Sequence, residues 1–149
     1  MHLEISSAVN FISFIIETSY RNCLYKISKN RLKVFKKNLK KILNQNFKNQ
    51  WFPNKPHKAS SLRTLRINNH GIDPRIELAW QETCNLNYNC FSELPTLPPL
   101  PHLMLMIDPS DVSVKFENHT PSILYEGENV PWKPERYKKS NHRDDCSIL

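Results

Sequence analysis

The stretch Trp51–Ile67 reads WFPNKPHKASSLRTLRI and joins a proline-punctuated loop to a short β-prone run. Pro53 and Pro56 hold the backbone extended, so a helix arriving at Trp51 and Phe52 cannot continue through them. Lys55, His57 and Lys58 ride on this stiff loop, and Ala59, Ser60 and Ser61 lead out of it. From Leu62 to Ile67 apolar and polar residues partly alternate, the period of two expected of a half-buried strand. Leu65 and Ile67 share one face in this reading, with Arg63 on the same side nearer the loop. Arg63 and Arg66 are read as strand arginines with solvated heads, outside any site.

On the N-terminal side, Ile5, Val9, Ile12 and Ile16 recur at helical spacing between Leu3 and Tyr20, and Ala8, Phe11 and Ile15 widen the stripe. So broad a stripe predicts a buried helix. Ser28 is placed to N-cap a second helix reaching about Phe47, with Leu32, Phe35, Leu39, Ile42 and Leu43 as its inner face. Its outer face is lysine. Lys33, Lys36, Lys37, Lys40 and Lys41 are either a solvated helix face, the common meaning of a charge run, or contacts to RNA phosphates made by counterion release.

On the C-terminal side, Asp73 followed by Pro74 has the form of an N-cap and first helical residue, so a third helix is expected from there to about Thr83, with Ile76, Ala79 and Trp80 inward. A short helix over Asn87–Leu94 and a surface linker at TLPPLP follow in this reading. His102–Ile107 and Val112–Glu117 read as strands joined at Asp108-Pro109-Ser110-Asp111, and Ser122–Glu126 as a third beyond the turn at Asn118–Pro121. Two long amphipathic helices covering one face of a small antiparallel sheet define an α+β fold. The domain is assigned to residues 1–126. From Gly127 the chain loses apolar periodicity, and residues 127–149 are expected to form a disordered tail.

The bounds agree with one domain. A chain of 149 residues buries roughly 68–70% of its unfolded surface, enough for one core. Mean hydropathy is -0.58, and no apolar run approaches the roughly 20 residues that span a bilayer. Glu4 and Asn10 interrupt the opening apolar run and no basic leader precedes it, which points to an intracellular protein. Asn118-His119-Thr120 is then a turn and not a sugar site. Cys23, Cys84, Cys90 and Cys146 include no C-x-x-C pair and are read as reduced thiols; no metal or other cofactor is expected. With only Gly71 and Gly127 there is no phosphate-cradling loop, and six scattered histidines form no recognisable catalytic arrangement, so no enzymatic activity is expected. The terminal CSIL has the C-a-a-X form of a geranylgeranylation signal at Cys146, with Lys138, Lys139 and Arg143 upstream. Charge is lopsided: residues 1–72 hold 14 Lys and Arg against 2 acidic residues, and residues 73–149 hold 7 against 12.

The Trp51–Ile67 stretch extended to Pro74 resembles the first conserved box of the BTG/Tob antiproliferative family. Residues 94–116, containing LMLMIDPSDVSVKF, resemble the second. The opening MHLEISSAVNFISFII is similar to the first helix of the Tob branch, and Ile123–Glu126 to the strand that closes the domain. The resemblance implies an adaptor that binds the Caf-type poly(A) nuclease subunit of the CCR-NOT complex, regulates mRNA deadenylation, restrains proliferation, and works in cytoplasm and nucleus. It reaches mRNA indirectly. Carried onto this chain, the contact positions are Leu62 and Met106 as apolar centre, Asp108 as acidic neighbour, and Lys58 and Ser61 beside them. Asp108 has a second reading, as a cap on the turn through the amides of Ser110 and Asp111. The chain also departs from the pattern: an aromatic residue is usual at Leu62, tryptophan at Met106, and the glycines flanking the loop serine are Ala59 and Ser61 here. The alternative function is a divergent paralogue acting by RNA binding or self-association through its basic second helix.

Overall fold

The computed structural model describes residues 1–24, 26–85 and 96–134. The apolar periodicity at the N-terminus becomes α1 (His2–Asn22), which buries Ile5, Ala8, Val9, Phe11, Ile12, Ile15 and Ile16. Ser28 caps α2 (Lys29–Phe47): its side chain accepts from the Arg31 amide at 3.2 Å, satisfying one of the donors a helix start leaves unpaired. Leu32, Phe35, Leu39, Ile42 and Leu43 form the buried stripe of α2, as their spacing predicts.

The proline loop ends in one helical turn, α3 (Ser60–Arg63), before β1 (Leu65–Asn68). This corrects the expectation of a strand from Leu62. Ala59 takes left-handed backbone angles (φ 60°), which turns the chain into the helical region, and the Thr64 hydroxyl donates back to the Ser60 carbonyl at 2.9 Å. Alternation therefore sets in at Leu65 and Ile67, both buried and on one face. The short β2 (Gly71–Ile72) returns beside β1, and α4 (Pro74–Asn85) starts at the expected Asp73-Pro74, with Ile76, Ala79 and Trp80 inward.

Next come β3 (Leu103–Asp108), β4 (Asp111–Phe116) and β5 (Ser122–Glu126). The five strands form one antiparallel sheet in the order β2-β1-β3-β4-β5. Leu65, Leu105 and Val114 are aligned across β1, β3 and β4, within an inner face that also holds Ile67, Leu103, Ile107 and Val112. Each such side chain is worth roughly 1.5–3 kcal/mol when removed from water. The helix lying across β3, β4 and β5 is α1, while α2 packs chiefly on α1 and α4. The cover expected from both long helices thus comes mainly from one, with α2 as a further layer. Trp80 of α4 fills the helix junction, its ring 5.9 Å from Tyr20 and 5.7 Å from Phe35.

The chain beyond β5 does not leave the domain at Gly127. Trp132 is buried with its ring 5.4 Å from Phe11 and 6.0 Å from Phe14. Its amide donates to the Ser7 hydroxyl at 2.9 Å, and its carbonyl accepts from Asn10 Nδ2 at 2.8 Å. A strap thereby ties this segment to α1. In the proline-rich segment, Leu97 and Leu100 pack on the core and the Thr96 carbonyl accepts from the Tyr20 hydroxyl, so it is anchored at both apolar positions. The short helix expected at Asn87–Leu94, the thiols of Cys90 and Cys146, and the CSIL signal lie outside the described residues.

Candidate partner-docking surface

The loop from Gln50 to Ala59, the turn α3 and the end of β3 meet around Arg63, whose side chain is entirely buried. Its Nε donates to the Ile107 carbonyl at 2.9 Å. Nη1 donates to the carbonyls of Gln50 and Lys58 at 2.5 and 2.7 Å, and Nη2 to the Pro56 carbonyl at 2.7 Å and to Asp108 Oδ1 at 2.6 Å. One guanidinium thus fastens the chain just past α2, two points of the proline loop and the last two residues of β3. The Trp51 ring, itself stacked on Phe47, lies 5.5 Å from the same group. A buried cation needs such saturation, because taking it out of water costs several kcal/mol unless its donors and charge are matched.

Asp108 is the matching charge. Its second oxygen, Oδ2, accepts from the Ser60 hydroxyl at 3.0 Å, with His57 Nδ1 at 3.8 Å. The carboxylate therefore looks inward to Arg63 and α3, and the turn is capped from elsewhere: the Ser110 amide donates to Glu4 Oε1 at 3.0 Å. Burial pushes the Glu4 carboxyl up, but hydrogen bonds from the N-terminal amine and the Ser110 amide outweigh this and leave its pKa lowered. The reading of Arg63 as a solvated strand arginine is overturned; alternation puts its position inward, but nothing in the local text says that carbonyls from three separate segments converge there. Arg66 is exposed, as expected.

A second arginine holds α3 from the other end. Arg75 donates to the carbonyls of Leu62 and Thr64, both at 2.9 Å, and forks onto both oxygens of Asp73. Burial pushes the Asp73 carboxyl up, but hydrogen bonds from Arg75 and the Arg66 amide outweigh this and leave its pKa lowered.

On this frame Ser61 and Leu62 are exposed, Leu62 by 58%. Lys58 is exposed with its ammonium 4.3 Å from the Phe52 ring centre. Met106 is half-buried on the sheet face away from α1, in register with Ser113 of β4 and, through it, Ile123 of β5. Ile123 and Met104 share that open face and are 62% and 38% exposed. These two apolar residues were missed by the sequence reading, although the alternation of LMLMID already puts Met104 and Met106 on one side. Lys33, Lys36, Lys37, Lys40 and Lys41 belong to α2 and take no part in this surface. Among the described residues no three His, Cys, Asp or Glu side chains are grouped to hold a metal, and no helix is long and apolar enough to cross a membrane.

Comparison with known proteins bears on the same region. A model of the BTG family matches residues 1–126. Human protein BTG2 is 36% identical over 124 residues, covering 83% of this chain and 72% of the relative; human protein BTG1 is equally similar and covered over 66% of its length. Human protein Tob1 is 33% identical over 131 residues, which span 87% of this chain and 34% of Tob1. Among solved structures, the C. elegans FOG-3 BTG/Tob domain superposes with a TM-score of 0.53 at 21% identity, covering 94% of this chain and 96% of that one. The fold, the family model and the relatives agree, and the chain belongs to the BTG family of antiproliferative regulatory proteins.

Proposed function

We propose that this protein is an adaptor that docks the Caf-type deadenylase subunit of the CCR-NOT complex on α3 and the open face of β3, and so regulates mRNA deadenylation and cell proliferation. The observation that carries the reading is the exposed Leu62 beside the β3 face bearing Met106, on a backbone that Arg63 and Arg75 fix from both ends. A rigid mount matters, because side chains already held in place lose less freedom on binding. Apolar side chains ringed by Lys58, Ser61 and Arg66 have the anatomy of a docking patch. Met104 and Ile123 extend it toward the roughly 800 Å² that each side of a standard interface buries.

Leu62 and Met106 stand where the family resemblance implies aromatic anchors. An anchor is often worth about 2 kcal/mol, a factor of about 30 in affinity, so this chain binds its partner more weakly than an aromatic-anchored relative does. Asp108 acts in this reading from beneath the surface, by holding Arg63 and α3. The nuclease supplies the chemistry, in the cytoplasm and the nucleus. Calorimetric titration of the purified protein against the deadenylase subunit tests the proposal: saturable binding, lost by at least about tenfold on Leu62→Ala, supports it. Absence of binding at high protein concentration contradicts it.

A further inference from the structure

The helix α2 carries seven Lys and Arg residues and no acidic one. Five of them fall in two rows. Lys29, Lys33 and Lys36 line a groove of about 550 Å³ between α2 and α1, whereas Lys37 and Lys41 are exposed and outside it. Phe14 and Leu32 line the same groove, and Lys133, next to Trp132 on the strap, lines it too. The hydrogen bond that the Trp132 amide donates to Ser7 and the one its carbonyl accepts from Asn10 fix the strap, and the Trp132 ring lies edge-on to Phe14 at 6.0 Å. The single acid among the described residues of the groove, Glu17, is already within 3.6 Å of Arg21.

A charge run commonly marks only a solvated helix face, but this one has no acidic residue interleaved. Here Lys29, Lys33, Lys36 and Lys40 follow one another at intervals of three and four residues, so like charges repel across every turn. Burial lowers the pKa of the Lys40 ammonium, and the charge of Lys36 lowers it further. The 1.5 Å rise per residue spaces the groove lysines about 6 and 4.5 Å apart along the helix axis, a ladder that a run of phosphates along an extended strand can follow. The groove is concave, which disfavours a flat membrane, and it holds an aromatic ring among the cations, the pairing by which proteins hold unpaired strands.

We propose that the α1–α2 groove binds a single-stranded nucleic acid, with phosphates on Lys29, Lys33, Lys36 and Lys133 and one base against the Phe14 ring. The groove shares no residue with the α3–β3 surface, and the proposal stands or falls independently of the deadenylase reading.

Fluorescence anisotropy of the full chain with labelled oligoadenylates about a dozen nucleotides long, one ribose and one deoxyribose, tests it. Four phosphate contacts predict a slope of log affinity against log salt of about -3. Lys33→Glu with Lys36→Glu is expected to weaken binding at least about tenfold, and Lys37→Glu with Lys41→Glu, the same change of charge off the groove, less than about threefold. Phe14→Leu is expected to weaken binding severalfold without altering the salt slope. Equal affinity for the two sugars assigns recognition to phosphate and base; a preference for ribose assigns the ligand as RNA. Equal losses in the two double variants, no saturable binding at low salt, or tighter binding of a polyglutamate peptide than of either strand would overturn the proposal. Circular dichroism melts of the variants, whose changed lysines lie outside the core, verify that each is folded.

Discussion

At the scale of single residues, the decisive contact is the buried pair of Arg63 and Asp108. Removing one partner of such a pair strands the other charge, at a cost of about 3–5 kcal/mol, whereas replacing both by apolar groups of similar volume is often tolerated. Asp108→Ala is therefore expected to destabilise the domain by that amount in urea unfolding, and Arg63→Met with Asp108→Leu to recover little of the loss, because the carbonyls of Gln50, Pro56, Lys58 and Ile107 then lose their donor. Lys58→Ala, at an exposed position, is expected to leave stability within about 0.5 kcal/mol. The contrast has a practical consequence. Loss of binding in an Asp108 variant reports on the frame of the site, so the surface is better probed through Leu62 and Met106. Those two residues, Lys58 and Ser61 were named from the family resemblance, which says nothing of the inward turn of Asp108. An acidic residue beside a proline looks the same in sequence whether it caps its own turn or neutralises a cation brought from 45 residues away.

At the scale of elements, local chemistry was the most readable part. Ser28 before α2 and Asp73-Pro74 before α4 are helix-start signals that need no tertiary knowledge, and both stand where they were expected. Ser28→Ala is expected to cost about 1 kcal/mol, checked by the urea midpoint. Asp73 gives a pH-dependent test. Its folded pKa is lowered, so its contribution is present above the ordinary carboxyl value and is lost as pH falls through the folded one. Stability should therefore decline in acid below about pH 4, and Asp73→Asn should flatten part of that decline while lowering stability at neutral pH. The turn α3 was hidden because the alternation of Leu65, Arg66 and Ile67 invites extension back to Leu62, although Leu62 is out of phase with it. What overrides it is Ala59 in the left-handed region and the arginines that gather the carbonyls behind it.

At the scale of the whole molecule, the fold class followed from two long apolar stripes and a set of alternating runs, but the assembly of layers did not. An apolar stripe says that a helix is covered and not by what: α1 lies on the sheet, while α2 reaches chiefly α1 and α4. The end of the domain was also beyond local reading, because Trp132 stands among prolines and charges and finds its place only against Phe11 and Phe14. Trp132→Ala is expected to cost about 3–5 kcal/mol and to lower the thermal midpoint by roughly 2–4 °C per kcal/mol, measured by calorimetry. In the function proposed here, α3 and the open face of β3 form a docking surface whose two anchor positions are weakened. Its most direct test is calorimetric titration of the deadenylase subunit with the natural protein and with the variant carrying Leu62→Tyr and Met106→Trp. Both are expected to bind, the aromatic variant at least about tenfold more tightly, with unfolding stability unchanged within about 1 kcal/mol. Absence of binding by the natural protein and the well-folded variant alike would contradict it.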